Sequence, residues 1–177
     1  MLDKLNNHYI VCGAGRVGRS VIRELRRSGA PVLLVDNNTE RVQWGVVEGI
    51  PTLAADATQD ETLRRAHVTS ARGLVAATSS DAQNVYVTLS ARGLNPDLII
   101  SARATDEQAE EKLRRAGAST VFTPYTFIGH RLAQSMLRPH VLSFLDVASA
   151  LTGGSDLDIE TEQIHLAADS SRRRSAH

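Results

Sequence analysis

Apolar runs alternate with helical periodicity from Tyr9 to about Leu137, which predicts an α/β fold: a doubly wound parallel sheet of about six strands, followed by a pair of helices. Two local observations support that class. The glycine run Gly13-Ala14-Gly15-Arg16-Val17-Gly18 follows the apolar stretch Tyr9-Ile10-Val11-Cys12 and opens a helical pattern. The next apolar run ends in Asp36, eighteen residues after Gly18. Strand, glycines, helix, second strand and terminal acid in register make the sheet Rossmann-like and give it what a dinucleotide site needs.

The strands are expected at Tyr9 to Cys12, Val32 to Asp36, Thr52 to Ala54, Gly73 to Ala77, Leu98 to Ala102 and Thr120 to Phe122. The first helix runs from about Arg16 to Ser28 and stops at Gly29, with Arg26 and Arg27 complementing its dipole. Asn38 or Thr39 caps the second helix, and a short third one covers Thr58 to Ala66. Ser80 caps the fourth, which buries Val85 and Leu89 and ends at Gly93-Leu94-Asn95-Pro96. Thr105 caps the fifth, whose early acids and late basic residues follow the dipole rule, and Gly117 ends it. After Pro124 the pattern changes: Tyr125 to Leu137 reads as a helix, Arg138-Pro139 as a break, and His140 to Leu151 as a second amphipathic helix. With no following strand to return to, this pair is a candidate association surface or a cover for one edge of its own sheet.

Domain organisation follows from these elements. Residues 1–137 form the Rossmann-like domain, residues 138–152 a dimerisation helix, and residues 153–177 a Gly-Gly-Ser joint, an extended segment from Leu157 to Leu166 and a polar tail. The 177 residues allow one full α/β core and no second catalytic domain. Formal net charge is zero and only 4% of residues are aromatic, which excludes a basic, stacking-rich nucleic-acid surface. Cys12 is the sole cysteine, so internal disulfides are excluded and a reducing cytoplasm fits. No apolar run approaches the roughly 20 residues needed to cross a bilayer.

The candidate contacts follow from the chemistry of a bound nucleotide. Gly13 permits the turn out of the first strand, Gly15 lets backbone approach a pyrophosphate, and Gly18 lets the helix pack closely on the sheet. Phosphates would meet the N–H groups around Arg16 and Val17 at the helix N-terminus, with the Arg16 side chain beside them. Asp36 would accept both hydroxyls of an adenosine ribose, with Asn37 beside it. Asp56, followed by Ala57, would face adenine, and Thr78 the phosphate or second-ribose region; capping the following helices is the alternative role of both acid and hydroxyl. Arg103 sits on the crevice edge, or pairs instead with Asp81 or Glu107. Asp36 disfavours the 2′-phosphate of NADP but accepts the ribose of NAD(H), ATP, ADP or AMP equally well. His67 and His130 lack metal-like clustering, so no metal site is expected.

Several segments together resemble an RCK domain (regulator of conductance of potassium), also called KTN or TrkA-N. They are Arg16 within Gly-Ala-Gly-Arg-Val-Gly, Asp36, the Ala55-Asp56-Ala57-Thr58 turn, the Thr78 to Asn84 turn, Ser101-Ala102-Arg103-Ala104, and Arg115-Ala116-Gly117-Ala118 leading to Thr123-Pro124. The resemblance spans about residues 7–150. It implies a cytosolic regulatory domain at the inner face of the cell membrane. Such domains form homodimers that assemble into octameric gating rings on potassium channels or transporters, in cis or in trans. It also implies that the helix pair over Tyr125 to Leu151 crosses to the neighbouring subunit. The opening Asn7 to Gly13 is similar to the segment after the pore helices in channels carrying this domain.

Two departures stand out. Only the first strand of the family's usual C-terminal lobe would be present, so the chain is truncated or that lobe is absent. The acids that calcium-gated members place after the fourth and fifth strands appear here as Ala77, Arg103 and Thr105, so that calcium site is not expected.

Three functions follow. The first is a nucleotide-gated regulatory domain of a potassium channel or uptake system, with no catalytic residues. The second is an NAD-dependent oxidoreductase on the same fold. Against it, no Tyr-x-x-x-Lys pair exists: Tyr9, Tyr86 and Tyr125 are followed four residues later by Gly13, Ser90 and Gly129. The third is the regulatory domain of a cation antiporter.

Overall fold

The computed structural model describes residues 5–137. Six strands form one parallel sheet: β1 (Tyr9–Cys12), β2 (Val32–Asp36), β3 (Thr52–Ala54), β4 (Gly73–Ala76), β5 (Ile99–Arg103) and β6 (Thr120–Phe122), in the order β3-β2-β1-β4-β5-β6. Between and after them lie α1 (Arg16–Arg27), α2 (Thr39–Val47), α3 (Asp60–Arg65), α4 (Asp81–Leu94), α5 (Glu107–Arg115) and α6 (Pro124–Leu137). The chain builds outward from β1 to β3, then returns to β4 on the other side of β1. Strand order therefore reverses between β1 and β4, the topological switch point where open sheets bind ligands. Cys12 pairs with Val35 of β2 on one side and Ala76 of β4 on the other, so the loops leaving all three strands converge there.

The two faces of the sheet follow the strand period of two. Ile10, Cys12, Leu33 and Val35 join Leu63, Val87, Ala91 and Leu113 in a core beneath α3, α4 and α5. Val11, Val32 and Leu34 point the other way and pack with Ile22 of α1 and against Trp44 of α2. Burial on both faces explains why β2 reads as the unbroken apolar run Val32 to Val35. The Cys12 thiol is completely buried. Burial, with a smaller contribution from the Asp36 charge, pushes its pKa up to about 12, so Cys12 stays an uncharged packing group. His8, also fully buried, hydrogen-bonds through Nε2 to the Ala66 carbonyl at 2.9 Å. Desolvation holds its pKa below the ordinary histidine value.

Several element ends differ from expectation by one or two residues, each for a local reason. β5 starts at Ile99 because the Leu98 N–H donates to the Asn95 carbonyl and so belongs to the preceding turn. β4 ends at Ala76, one residue before the expected Ala77. α3 begins at Asp60 because Asp56 captures Thr58 in its own turn. A short 3₁₀ turn over Val68–Ser70, unforeseen from periodicity, leads into β4. The cap of α5 is Asp106, whose Oδ1 accepts the Ala109 N–H at 2.8 Å, rather than Thr105. Thr105 is engaged elsewhere: its N–H and hydroxyl both donate to Asp81 Oδ2 at the start of α4. Asn38 and Ser80 cap α2 and α4 as expected.

The closely packed unit reaches Phe127, within the first turn of α6. No residue of α6 is buried, and Tyr125, Phe127, Ile128, Leu132, Met136 and Leu137 are all exposed. The expected break at Arg138-Pro139, the helix from His140 to Leu151 and the segment 153–177 lie outside the described residues.

Candidate functional site

The loop between β1 and α1 shows why each glycine is there. Gly13 sits at φ +101° and donates its N–H to the Val35 carbonyl at 2.9 Å. A Cβ on it would lie 2.7 Å from the Ala77 carbonyl oxygen, so both torsion and space demand glycine. A Cβ on Gly18 would lie 1.8 Å from the Gly13 carbonyl oxygen, because α1 presses directly onto the turn. Gly15 is different. Its φ of −71° suits any residue, and a Cβ there would meet nothing within 4 Å. Neither a positive φ nor a close neighbour demands that glycine, which stands at the N-cap of α1 with open space beside its backbone.

Beside this loop α1 begins at Arg16, which is exposed, with Val17 half-buried behind it. The first intrahelical bond runs from the Arg19 N–H to the Gly15 carbonyl, so the N–H groups of Arg16, Val17 and Gly18 precede the ladder. No acid occupies the first turn, leaving the positive end of the helix dipole unneutralised by its own segment.

Asp36 anchors the loop from the other side. Its side chain is only 4% exposed. Oδ2 accepts the Ala14 N–H at 2.7 Å, inside the glycine run, and Oδ1 accepts the Asn38 N–H at 2.9 Å. Arg41 Nη1 stands 3.6 Å from Oδ2. A carboxylate offers about four lone-pair positions, so each oxygen, after one N–H bond, can still accept a ribose hydroxyl.

These groups border a cleft of about 240 Å³ lined by Gly13, Asp36, Asn37, Asp56, Ala57 and Thr78, six of the residues singled out from sequence. Arg41, Thr58, Ser79 and Gln83 also line it, and sequence reasoning missed them. Arg41 could have been found five residues after Asp36 in the first turn of α2, where a side chain can reach back over the strand end. Gly15, Arg16, Val17, Gly18 and Arg103 do not line this cleft.

Across the switch point, a small polar network joins the ends of β4 and β5. Fully buried Asn84 accepts the Thr78 N–H and hydroxyl at Oδ1, at 2.9 and 2.8 Å, and donates from Nδ2 to the Arg103 carbonyl at 2.9 Å. Arg103 closes the ring by donating from Nη1 to the Thr78 carbonyl at 3.0 Å. Neither Asp81 nor Glu107 forms an ion pair with it among the described residues. Asp56 does not cap α3, whose N-cap is Gln59; its Oδ1 accepts both the N–H and the hydroxyl of Thr58 in the turn before that helix.

The fold and its glycine loop are those of the Rossmann-like class of domains. The sequence pattern of the TrkA-N domain matches residues 9–124, and the chain belongs to the TrkA-N domain family. Relatives include Potassium channel protein 1 of Methanocaldococcus jannaschii, 37% identical over 81% of this chain and 44% of that protein. Ktr system potassium uptake protein A of Bacillus subtilis is 28% identical over 81% and 64% respectively. A putative K⁺ efflux antiporter KefB of Alkalimonas amylolytica is 33% identical over 81% of this chain and 21% of its own length. The chain thus spans about half or less of the two potassium channel relatives it matches from Methanocaldococcus jannaschii.

Among solved structures, the TrkA-N domain of the Escherichia coli inner membrane protein YbaL superposes with a TM-score of 0.71 at 25% identity, covering 74% of this chain and 97% of that one. The GsuK channel bound to NAD gives 0.61 at 26% identity, covering 68% and 22%. GsuK bound to ADP gives the same score and identity, covering 68% and 32%.

Proposed function

We propose that this chain is a nucleotide-sensing regulatory domain of a potassium channel or potassium uptake system, acting at the cytoplasmic face of the membrane. The observation that carries the reading is Gly15: the N-cap of α1, where neither a positive φ nor a neighbouring atom demands glycine, at the positive end of that helix and next to a loop tied to buried Asp36. A nucleotide uses all of it. Asp36 takes the ribose hydroxyls, the phosphates lie against backbone at Gly15 and the N–H groups of Arg16 to Gly18, and Arg16 adds charge. Asn37, Asp56 and Ala57 border the base, while Thr78 and Arg103 border the far side of the switch point. NAD(H), ATP, ADP and AMP all meet these requirements, and relatives bound to NAD and to ADP support that range. Asp36 disfavours NADP, whose 2′-phosphate would face its charge.

In this reading no bond is broken. Ligand binding shifts the geometry of paired domains, in a homodimer or an octameric ring, and a membrane subunit reads that geometry. The shift requires the two arrangements to bind the ligand with different affinity. The KefB relative supports a second partner, a cation antiporter.

Calorimetric titration with NAD, NADH, ATP, ADP and AMP tests the proposal, with Asp36→Ala as control after melting confirms its fold. Saturable binding that weakens at least about tenfold in the variant is expected, from loss of charge-assisted bonds to the ribose. Absence of binding to all five overturns the reading, and steady NADH oxidation replaces it with the enzyme. Co-purification with a potassium pore rather than an antiporter subunit decides the partner.

A further inference from the structure

Resting on that nucleotide reading, we infer that Arg41 is a specificity residue of the cleft: a bound ribose takes the Asp36 carboxylate, and the freed Arg41 guanidinium closes on the face of the adenine ring. Three observations converge on it. First, with the ribose on Asp36 and the phosphates at the α1 N-terminus, the base points away from the glycine loop, between the loops after β2 and β3. That part of the cleft is walled by Asn38 and Arg41 on one side and by Ala55, Asp56, Ala57 and Thr58 on the other.

Second, stacking on a flat group grips the face of a base, and no aromatic side chain lines the cleft to provide it. Ala55 and Ala57 provide room but no plate, and Asp56 is engaged with Thr58. Of the planar side-chain groups in the lining, the Arg41 guanidinium is the cationic one, and it stacks on π-systems as an ammonium does not.

Third, Arg41 is held loosely enough to move. Its 3.6 Å approach to Asp36 Oδ2 is a charge contact longer than a hydrogen bond, and its side chain is 33% exposed. Its backbone is fixed, since its N–H donates to the Asn38 side chain at 3.1 Å as the cap of α2. Only the side chain swings. Ribose hydroxyls compete directly for the Oδ2 position that the guanidinium faces.

The test is calorimetric titration of AMP, ADP, ATP and 2′-deoxy-AMP into the wild type, Arg41→Ala and Arg41→Lys, each first shown to melt as the wild type does. Stacking on adenine predicts that Arg41→Ala weakens AMP, ADP and ATP by one common factor of about 3- to 30-fold. It also predicts that the ratio of AMP to 2′-deoxy-AMP affinity is preserved and that lysine restores only part of the loss. A penalty that grows from AMP to ATP overturns the inference by making Arg41 a phosphate ligand. A collapsed ribose-to-deoxyribose ratio overturns it by showing that Arg41 acts only through Asp36, and unchanged affinities overturn it outright. Failure of the wild type to bind any of the four defeats the nucleotide reading itself and the inference with it, a result distinct from the other three.

Discussion

Gly15 and Gly18 stand three positions apart, the first capping α1 and the second in its first turn, and the fold treats them oppositely. At Gly18 a methyl group would occupy the space of the Gly13 carbonyl, so Gly18→Ala must push α1 off the sheet. A loss of at least about 2 kcal/mol is expected, as for overpacking of a tight core. At Gly15 the same methyl meets nothing, and only the N-cap preference for glycine over alanine is lost, so stability should fall by no more than about 1 kcal/mol. Yet that methyl stands where a pyrophosphate would approach, so Gly15→Ala should bind nucleotide at least about tenfold more weakly. Denaturant melts paired with titration separate the two: a stable Gly15→Ala that binds normally would remove the phosphate role from that position. The glycines and Asp36 were legible in sequence because each need is local, a torsion, a clearance or a strand end. Arg41 was not, because its relation to Asp36 depends on how the first turn of α2 folds back over β2.

Between elements, the fold relies on contacts that no periodicity reports. The sequence pattern buries Val85 and Leu89 on α4 and marks Asn84 only as the end of a turn, but Leu89 is exposed, while Asn84 is fully buried and ties the ends of β4 and β5 through Thr78 and Arg103. Asp81 and Thr105 make a second tie, between the starts of α4 and α5, which is why the cap of α5 passed from Thr105 to Asp106. Strand and helix order were readable because burial on both faces makes the central strands short apolar runs, while one-sided burial gives the helices their period. These cross-links were hidden because they join residues 19 to 24 positions apart. Asn84→Ala would leave the N–H of half-buried Thr78 and the carbonyl of half-buried Arg103 without their partner. A loss of about 2–4 kcal/mol is expected, read from a urea midpoint. Asn84→Asp should not rescue it, because a carboxylate cannot donate to the Arg103 carbonyl; full rescue by aspartate would show that only the Thr78 side of the network matters.

At the scale of the molecule, the cleft at the β1/β4 switch point belongs to the packed unit, while α6 carries a row of apolar side chains and buries none of them. Leu132 is 62% exposed and Met136 85%, and as an i, i+4 pair they share one face of the helix. Contiguous exposed apolar groups of this size mark association surfaces, and in the proposed homodimer that face would be covered by a second copy of the chain. A ligand in one cleft can change how two bodies meet wherever it binds their two arrangements with different affinity, and such a surface is where that change would be read. The double variant Leu132→Glu, Met136→Glu should therefore lower the mass seen by light scattering toward that of a monomer. It should leave the melting of the α/β unit within about 0.5 kcal/mol of wild type, since neither side chain is buried. Nucleotide affinity should persist in the separated chains while any effect of nucleotide on mass disappears. An unchanged mass in the double variant would move the association surface away from this face of α6 and leave the cleft without the lever proposed for it.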